Sequence, residues 1–121
     1  MILVVDDESS LVQLCQLVLE DAGFKVRGAY SGRQALHILA EELPDLVLLD
    51  VMMPGMDGIE VCRQIRARQD NSQPRIIMYT ADERDSTRDN SLAAGADALI
   101  TKETPIYDLP SKIKTYLNAT V

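Results

Sequence analysis

Asp6 and Asp7 follow the apolar run Ile2-Leu3-Val4-Val5, and Asp50 follows Leu46 to Leu49. Thr80 comes directly after Arg75 to Tyr79, and Lys102 directly after Ala98 to Thr101. An ionisable group at the exit of a buried stretch is costly unless something pairs with it. Three carboxylates within a few ångströms would raise one another's pKa, and a hard divalent cation relieves that repulsion. Oxygen ligands with retained water suit Mg²⁺. Lys102 would add an ammonium, and Thr80 a hydroxyl donor. Such a set is equipped to receive a phosphoryl group: one carboxylate is the nucleophile, and the cations neutralise charge on the transferring oxygens.

These residues meet only if the chain brings its strand ends to one edge, and the periodicity predicts that it does. Ile2 to Val5 reads as a strand buried on both faces. Leu11, Leu14, Cys15, Val18, Leu19 and Ala22 follow at helical spacing, with Gly23 as the stop. Phe24 to Ala29 reads as an edge strand, given Lys25 and Arg27. Ser31 with Gln34 three residues on is a capping-box pattern for a helix running to about Glu42. Leu46 to Leu49 is the third strand. Asp57 caps a third helix carrying Ile59, Cys62 and Ile65. Arg75 to Tyr79 is the fourth strand. The polar stretch Asp82 to Asn90 is expected to lead into a short helix ending at Ala94-Gly95. Ala98 to Thr101 is the fifth strand. Thr104-Pro105 then opens the last helix, with Thr104 as cap, Pro105 at the first helical position and Ile106, Leu109, Ile113 and Leu117 on the apolar face.

Five strands alternating with five helices imply an α/β fold, a parallel sheet covered on both sides. The flavodoxin-like strand order 2-1-3-4-5 is the first choice, and ligands then sit beyond the carboxyl ends where the order reverses. Asp6, Asp7 and Asp50 should converge at that point.

The composition narrows the function. A chain of 121 residues with 46% apolar and 26% charged content suits one globular domain, 1–121. It is compatible with a stand-alone protein and with a piece of a longer one. A net charge of −7, with scattered basic residues, disfavours direct nucleic-acid binding. No apolar run is long enough for a membrane span, and no targeting segment is visible, so the expected location is the cytoplasm. Cys15 and Cys62 are expected to be reduced core residues, and His37 a surface residue. One histidine and two cysteines exclude a zinc site.

The pieces V-V-D-D-E at 4–8, L-L-D-V-M-M-P-G-M-D-G at 48–58, Y-T-A at 79–81, G-A-D at 95–97 and T-K at 101–102 together resemble the CheY-like receiver domain of two-component response regulators. The resemblance covers essentially the whole chain. It implies a phosphorylation-controlled switch, with Asp50 as the acceptor of a phosphoryl group from a sensor histidine kinase or phosphotransfer protein. It implies Mg²⁺ held by Asp7 directly, Asp6 mainly through water, Asp50, and the Met52 backbone carbonyl. Thr80, the Ala81 amide and Lys102 would hold phosphoryl oxygens, and the face of helix four, strand five and helix five would meet the output partner. The domain would catalyse only its own phosphorylation and dephosphorylation.

The sequence departs from the family at two positions. Glu103, not proline, follows Lys102, so a trans bond and a differently routed loop are expected. Leu99 stands where the family carries Tyr or Phe, so output is expected to use another surface or to couple more weakly. Met52 and Asp82 occupy positions that tune dephosphorylation in the family. Met52 cannot orient water, so a long-lived acyl phosphate is expected. The competing readings are a phosphorylation-independent pseudo-receiver that only binds, and an aspartyl phosphatase of the haloacid-dehalogenase type. The phosphatase reading is disfavoured because that class needs an aspartate where Met52 stands. A flavin binder is disfavoured by Asp-Asp-Glu-Ser-Ser after the first strand.

Overall fold

The computed structural model describes residues 1–68 and 73–118. Its elements are β1 (Ile2–Val5), α1 (Ser9–Asp21), β2 (Val26–Ala29), α2 (Gly32–Glu41), β3 (Leu46–Leu49), α3 (Gly58–Ala67), β4 (Arg75–Thr80), α4 (Asp85–Ala93), β5 (Ala98–Thr101) and α5 (Leu109–Asn118). The strands form one parallel sheet in the order β2-β1-β3-β4-β5, as expected for the flavodoxin-like arrangement.

The strand sequences explain the layering. Side chains alternate across a strand, so a run that is apolar at every position must be covered twice. Leu3, Val5, Val47, Leu49, Ile76 and Met78 pack with Ala35, Ile38 and Leu39 of α2 and Val61, Cys62 and Ile65 of α3. Ile2, Val4, Leu46, Leu48, Ile77 and Tyr79 pack on the other side with Val12, Cys15 and Leu19 of α1 and Leu109 and Ile113 of α5. Each fully buried side chain of this size contributes about 1.5–3 kcal/mol before the cost of ordering it.

Several elements differ from their sequence-based expectation. Leu14 is 45% exposed and Val12 is fully buried instead, so the apolar face of α1 is rotated from the one read above. The polar stretch after β4 does not lead into α4 but forms it: α4 begins at Asp85. Thr104 is not a helix cap. A 3-10 turn at Ile106–Asp108 precedes α5, and Pro105 sits at its N-cap position without a side-chain cap. The apolar face is as read, with Leu109 and Ile113 buried and Ile106 and Leu117 packed partly against them.

Other local expectations hold, the capping box only in its Ser31 half. Ser31 accepts from the Gln34 amide at 3.1 Å, while the Gln34 side chain accepts from the Tyr30 amide at 2.8 Å, one residue earlier than a capping box requires. Gly23 ends α1 at φ 97°, a conformation that favours glycine. Cys15 and Cys62 are free and buried, and the side chain of His37 is 78% exposed. Among the described residues no helix is long and apolar enough to cross a membrane.

Candidate functional site: an acidic cluster at the carboxyl edge of the sheet

Backbone bonds carry the sheet ladder one step past the strands and so fix the positions of the site residues. The Asp6 amide donates to the Ala29 carbonyl at 3.1 Å, and the Asp50 amide to the Val5 carbonyl at 3.0 Å. At the far side the Lys102 amide donates to the Thr80 carbonyl at 2.8 Å. Residues 44 positions apart in sequence, Asp6 and Asp50, thereby end on adjacent strands β1 and β3.

Ligand atoms of Asp6, Asp7 and Asp50 all lie within 4.8 Å of one another. Asp6 and Asp50 are buried, at 3% and 6% exposure, and Asp7 is exposed, so the cluster opens to solvent on the Asp7 side. Each buried carboxylate is aimed by its own chain. Asp6 Oδ1 accepts from the Glu8 amide at 2.9 Å, and Asp50 Oδ1 from the Met52 amide at 3.2 Å. The remaining oxygens share one cation: Lys102 Nζ donates to Asp6 Oδ2 at 2.8 Å and to Asp50 Oδ2 at 3.1 Å. The same amine lies 5.9 Å from the Tyr79 ring centroid. This is the partner that the opening apolar-run-to-aspartate pattern required.

The electrostatics follow from this geometry. Burial pushes the Asp50 carboxyl above its usual range; Lys102 opposes that shift and Asp6 reinforces it. Burial also works against the Lys102 charge, but the hydrogen bond to Asp6 and the field of both carboxylates outweigh it, so its amine is raised. The Lys102 ammonium is therefore held firmly charged between two acids.

Glu103 does not keep Lys102 away. No peptide bond among the described residues is cis, and the Thr104 amide donates to the Thr101 carbonyl at 3.0 Å, a tight turn that leaves the lysine aimed inward. Thr80 is fully buried, and its hydroxyl oxygen accepts from the Asp82 amide at 3.2 Å. Met52, Ala81, Asp82, Glu83 and Arg84 line an open cleft of about 680 Å³. The Met52 side chain is 59% exposed there, while Met53 is buried in the core. Leu99 is half-buried and packs against the α2/α3 side of the core.

Two contributors escaped the sequence reading. Gly58, at the start of α3, lies so close to the Asp50 backbone that a Cβ would overlap the Asp50 carbonyl oxygen. Its amide donates to the Val51 carbonyl at 3.0 Å, so α3 presses directly on the Asp50 turn. The spacing of Gly58 behind the Asp57 cap was the available signal. The second is a clasp in which Asp82 binds Arg84 and Thr87; the D-x-R-x-x-T pattern at 82–87 carried it.

Comparison with known proteins agrees with this geometry. A family model for the response regulator receiver domain matches residues 2–114. The BeF3-activated N-terminal receiver domain of RstA from Klebsiella pneumoniae is 33% identical, with a TM-score of 0.88 and 98% of each chain covered. A CheY-like response regulator receiver domain protein from Methanospirillum hungatei JF-1 is 32% identical, with a TM-score of 0.87 over 97% of this chain and 92% of that one. The chemotaxis protein CheY4 of Vibrio cholerae is 29% identical, with a TM-score of 0.87 over 93% and 94%. With a match over nearly its whole length, and an acidic cluster where its five parallel strands end, the chain belongs to the response regulator receiver domains of two-component signalling.

Proposed function

We propose that this chain is a phosphorylation-controlled switch whose acceptor is Asp50. The donor is a phosphohistidine on a sensor histidine kinase or phosphotransfer protein. An Asp50 carboxylate oxygen attacks phosphorus, the P–N bond breaks as the O–P bond forms, and the imidazole leaves with the electron pair and takes a proton. Lys102, Thr80 and the Ala81 amide hold the phosphoryl oxygens.

The donor set fits Mg²⁺: three carboxylates whose oxygens gather within 4.8 Å, one of them open to solvent where retained water can sit. Asp6, Asp7, Asp50 and the Met52 carbonyl would hold the ion, which when bound supplies positive charge against the phosphoryl oxygens. Lys102 bridges the two buried acids through their Oδ2 atoms. It therefore keeps the cluster from flying apart and stands close to where the new charge arrives. The acyl phosphate is long-lived, because Met52 offers no hydrogen bond to an attacking water. The face of α4, β5 and α5 carries the output to a partner.

The observation that carries this reading is the gathering of three carboxylates from two strand ends, the two buried ones bridged by one ammonium. Intact mass after incubation with a small phosphodonor tests it. The expected result is gain of one phosphoryl group with Mg²⁺ present, none without it, and none in Asp50→Asn. No gain in the unaltered chain, with no Mg²⁺ bound, would leave a binding module of the same fold. Loss of the label within seconds would overturn the long lifetime.

A further inference from the structure

The helix α4 is built unlike the other four. The helices α1, α2, α3 and α5 each bury at least two apolar side chains. The buried side chains of α4 are Thr87 and Ser91, both hydroxyls, and Ser91 Oγ has no hydrogen-bond partner among the described residues. Helices in proteins draw most of their stability from an apolar face, and α4 has almost none. What fixes its first turn is polar. Arg84, at the N-cap position, gives no side-chain cap, and Asp82 two residues upstream instead clasps Arg84 and the Thr87 hydroxyl. Asp82 Oδ1 accepts from the Arg84 amide at 3.1 Å and from Arg84 Nε at 2.9 Å. Asp82 Oδ2 accepts from the second guanidinium nitrogen at 2.6 Å and from Thr87 Oγ1 at 2.6 Å.

The same residue is tied to the site. The Asp82 amide donates to Thr80 Oγ1 at 3.2 Å, so one residue joins the threonine of the acidic edge to the first turn of α4. We propose that Asp82 is a latch on α4, keyed to the hydroxyl of Thr80. The keying rests on the receiver reading above. When Thr80 turns its hydroxyl toward a phosphoryl oxygen on Asp50, its oxygen leaves the Asp82 amide. The Asp82 turn then loses its anchor, its carboxylate loses alignment with Thr87, and the first turn of α4 loosens. This path needs no aromatic ring at position 99, where Leu99 packs into the core instead.

Amide hydrogen exchange read by peptide across 85–93, with intact mass taken in parallel, tests the latch. In the unmodified protein, Asp82→Asn and Thr87→Val each speed exchange in α4 by about tenfold, the scale of one charge-assisted hydrogen bond, with α1 and α3 unchanged. Thr80→Val does so more weakly. Phosphorylated wild type, confirmed by mass, shows the same acceleration, and phosphorylation adds little further in Thr87→Val. Wild-type protection of α4 in both latch variants would overturn the proposal. So would a singly phosphorylated protein whose α4 exchange is unchanged. If Asp50 takes no phosphoryl group the receiver chemistry fails, but the unmodified variants still decide whether the latch exists.

Discussion

The neighbouring helices α3 and α4 lie on the same side of the sheet, yet they are secured by opposite means. α3 drives Val61, Cys62 and Ile65 into the core and is capped by its own Asp57, whose Oδ1 accepts from the Glu60 amide at 2.9 Å. It also abuts the Asp50 turn without a side chain between, through Gly58. α4 buries two hydroxyls and is clasped through Arg84 and Thr87 by Asp82, a residue in contact with the site. Apolar anchoring is non-directional and tolerates small shifts, whereas a polar clasp holds only in one alignment. The two helices thus divide the labour: α3 is fixed hard against the Asp50 turn, and α4 hangs on directional polar contacts that lead to Thr80.

Substitutions can break this contrast in graded steps. Ile65→Ala removes a fully buried anchor of α3 and is expected to cost about 2–5 kcal/mol in denaturant unfolding. Leu92→Ala on α4, at a side chain 43% exposed, should stay within about 0.5 kcal/mol, and equal costs would erase the distinction. Gly58→Ala forces α3 off the Asp50 backbone, with an expected loss of about 1–3 kcal/mol and reduced phosphoryl uptake by mass. Asp57→Ala should cost about 1 kcal/mol, the usual value of a lost cap, while leaving α4 exchange untouched. Ser91→Ala deletes a buried hydroxyl without a partner and is expected to be neutral or to raise stability by a few tenths of a kcal/mol, roughly. A clear loss there would reveal a hydrogen bond that matters.

The smallest effect expected is that of acid on the latch. The hydrogen bonds from Arg84 and then Thr87 hold the Asp82 carboxyl well below the usual carboxylate range. A depressed acid contributes its full stabilisation above its unfolded value and loses it only as pH falls through the lowered one. Protection of α4, corrected for intrinsic exchange, should therefore stay level down through pH about 3.9, where free aspartate titrates. A decline already in that range would show that Asp82 is not clasped in solution.

Much of the fold was legible because the strands are written plainly. β1, β3 and β5 begin and end where their apolar runs do, and the aspartates and lysine behind them land at one edge. α4 was misplaced for the same reason that sets it apart. DSTRDNSLA has no apolar period to detect, so a stretch that is helix from Asp85 onward read as loop. The start of α5 was misread because Thr-Pro is a local cap signal, and the turn back from β5 overrode it. Leu14 and Val12 exchanged roles because Leu11, Leu14, Cys15 and Val18 fit a helical stripe as well as the true face does. The residue types of the site were readable, but their contacts were not. That Lys102 bridges Asp6 and Asp50, or that Asp82 is occupied by Arg84, depends on side-chain directions that spacing does not encode.

The lysine bridge carries a consequence for how the chain comes into being. Lys102 stands 96 positions after Asp6 and 52 after Asp50. A ribosome delivers the acids first and their ammonium only after β4 has been made. Until β5 pairs with β4, the two buried acids lack the ammonium that bridges them. Strand β5 brings that ammonium with it, so the two buried acids meet their counter-charge only when the sheet is finished, and the edge of three acids and one lysine still keeps a net negative charge.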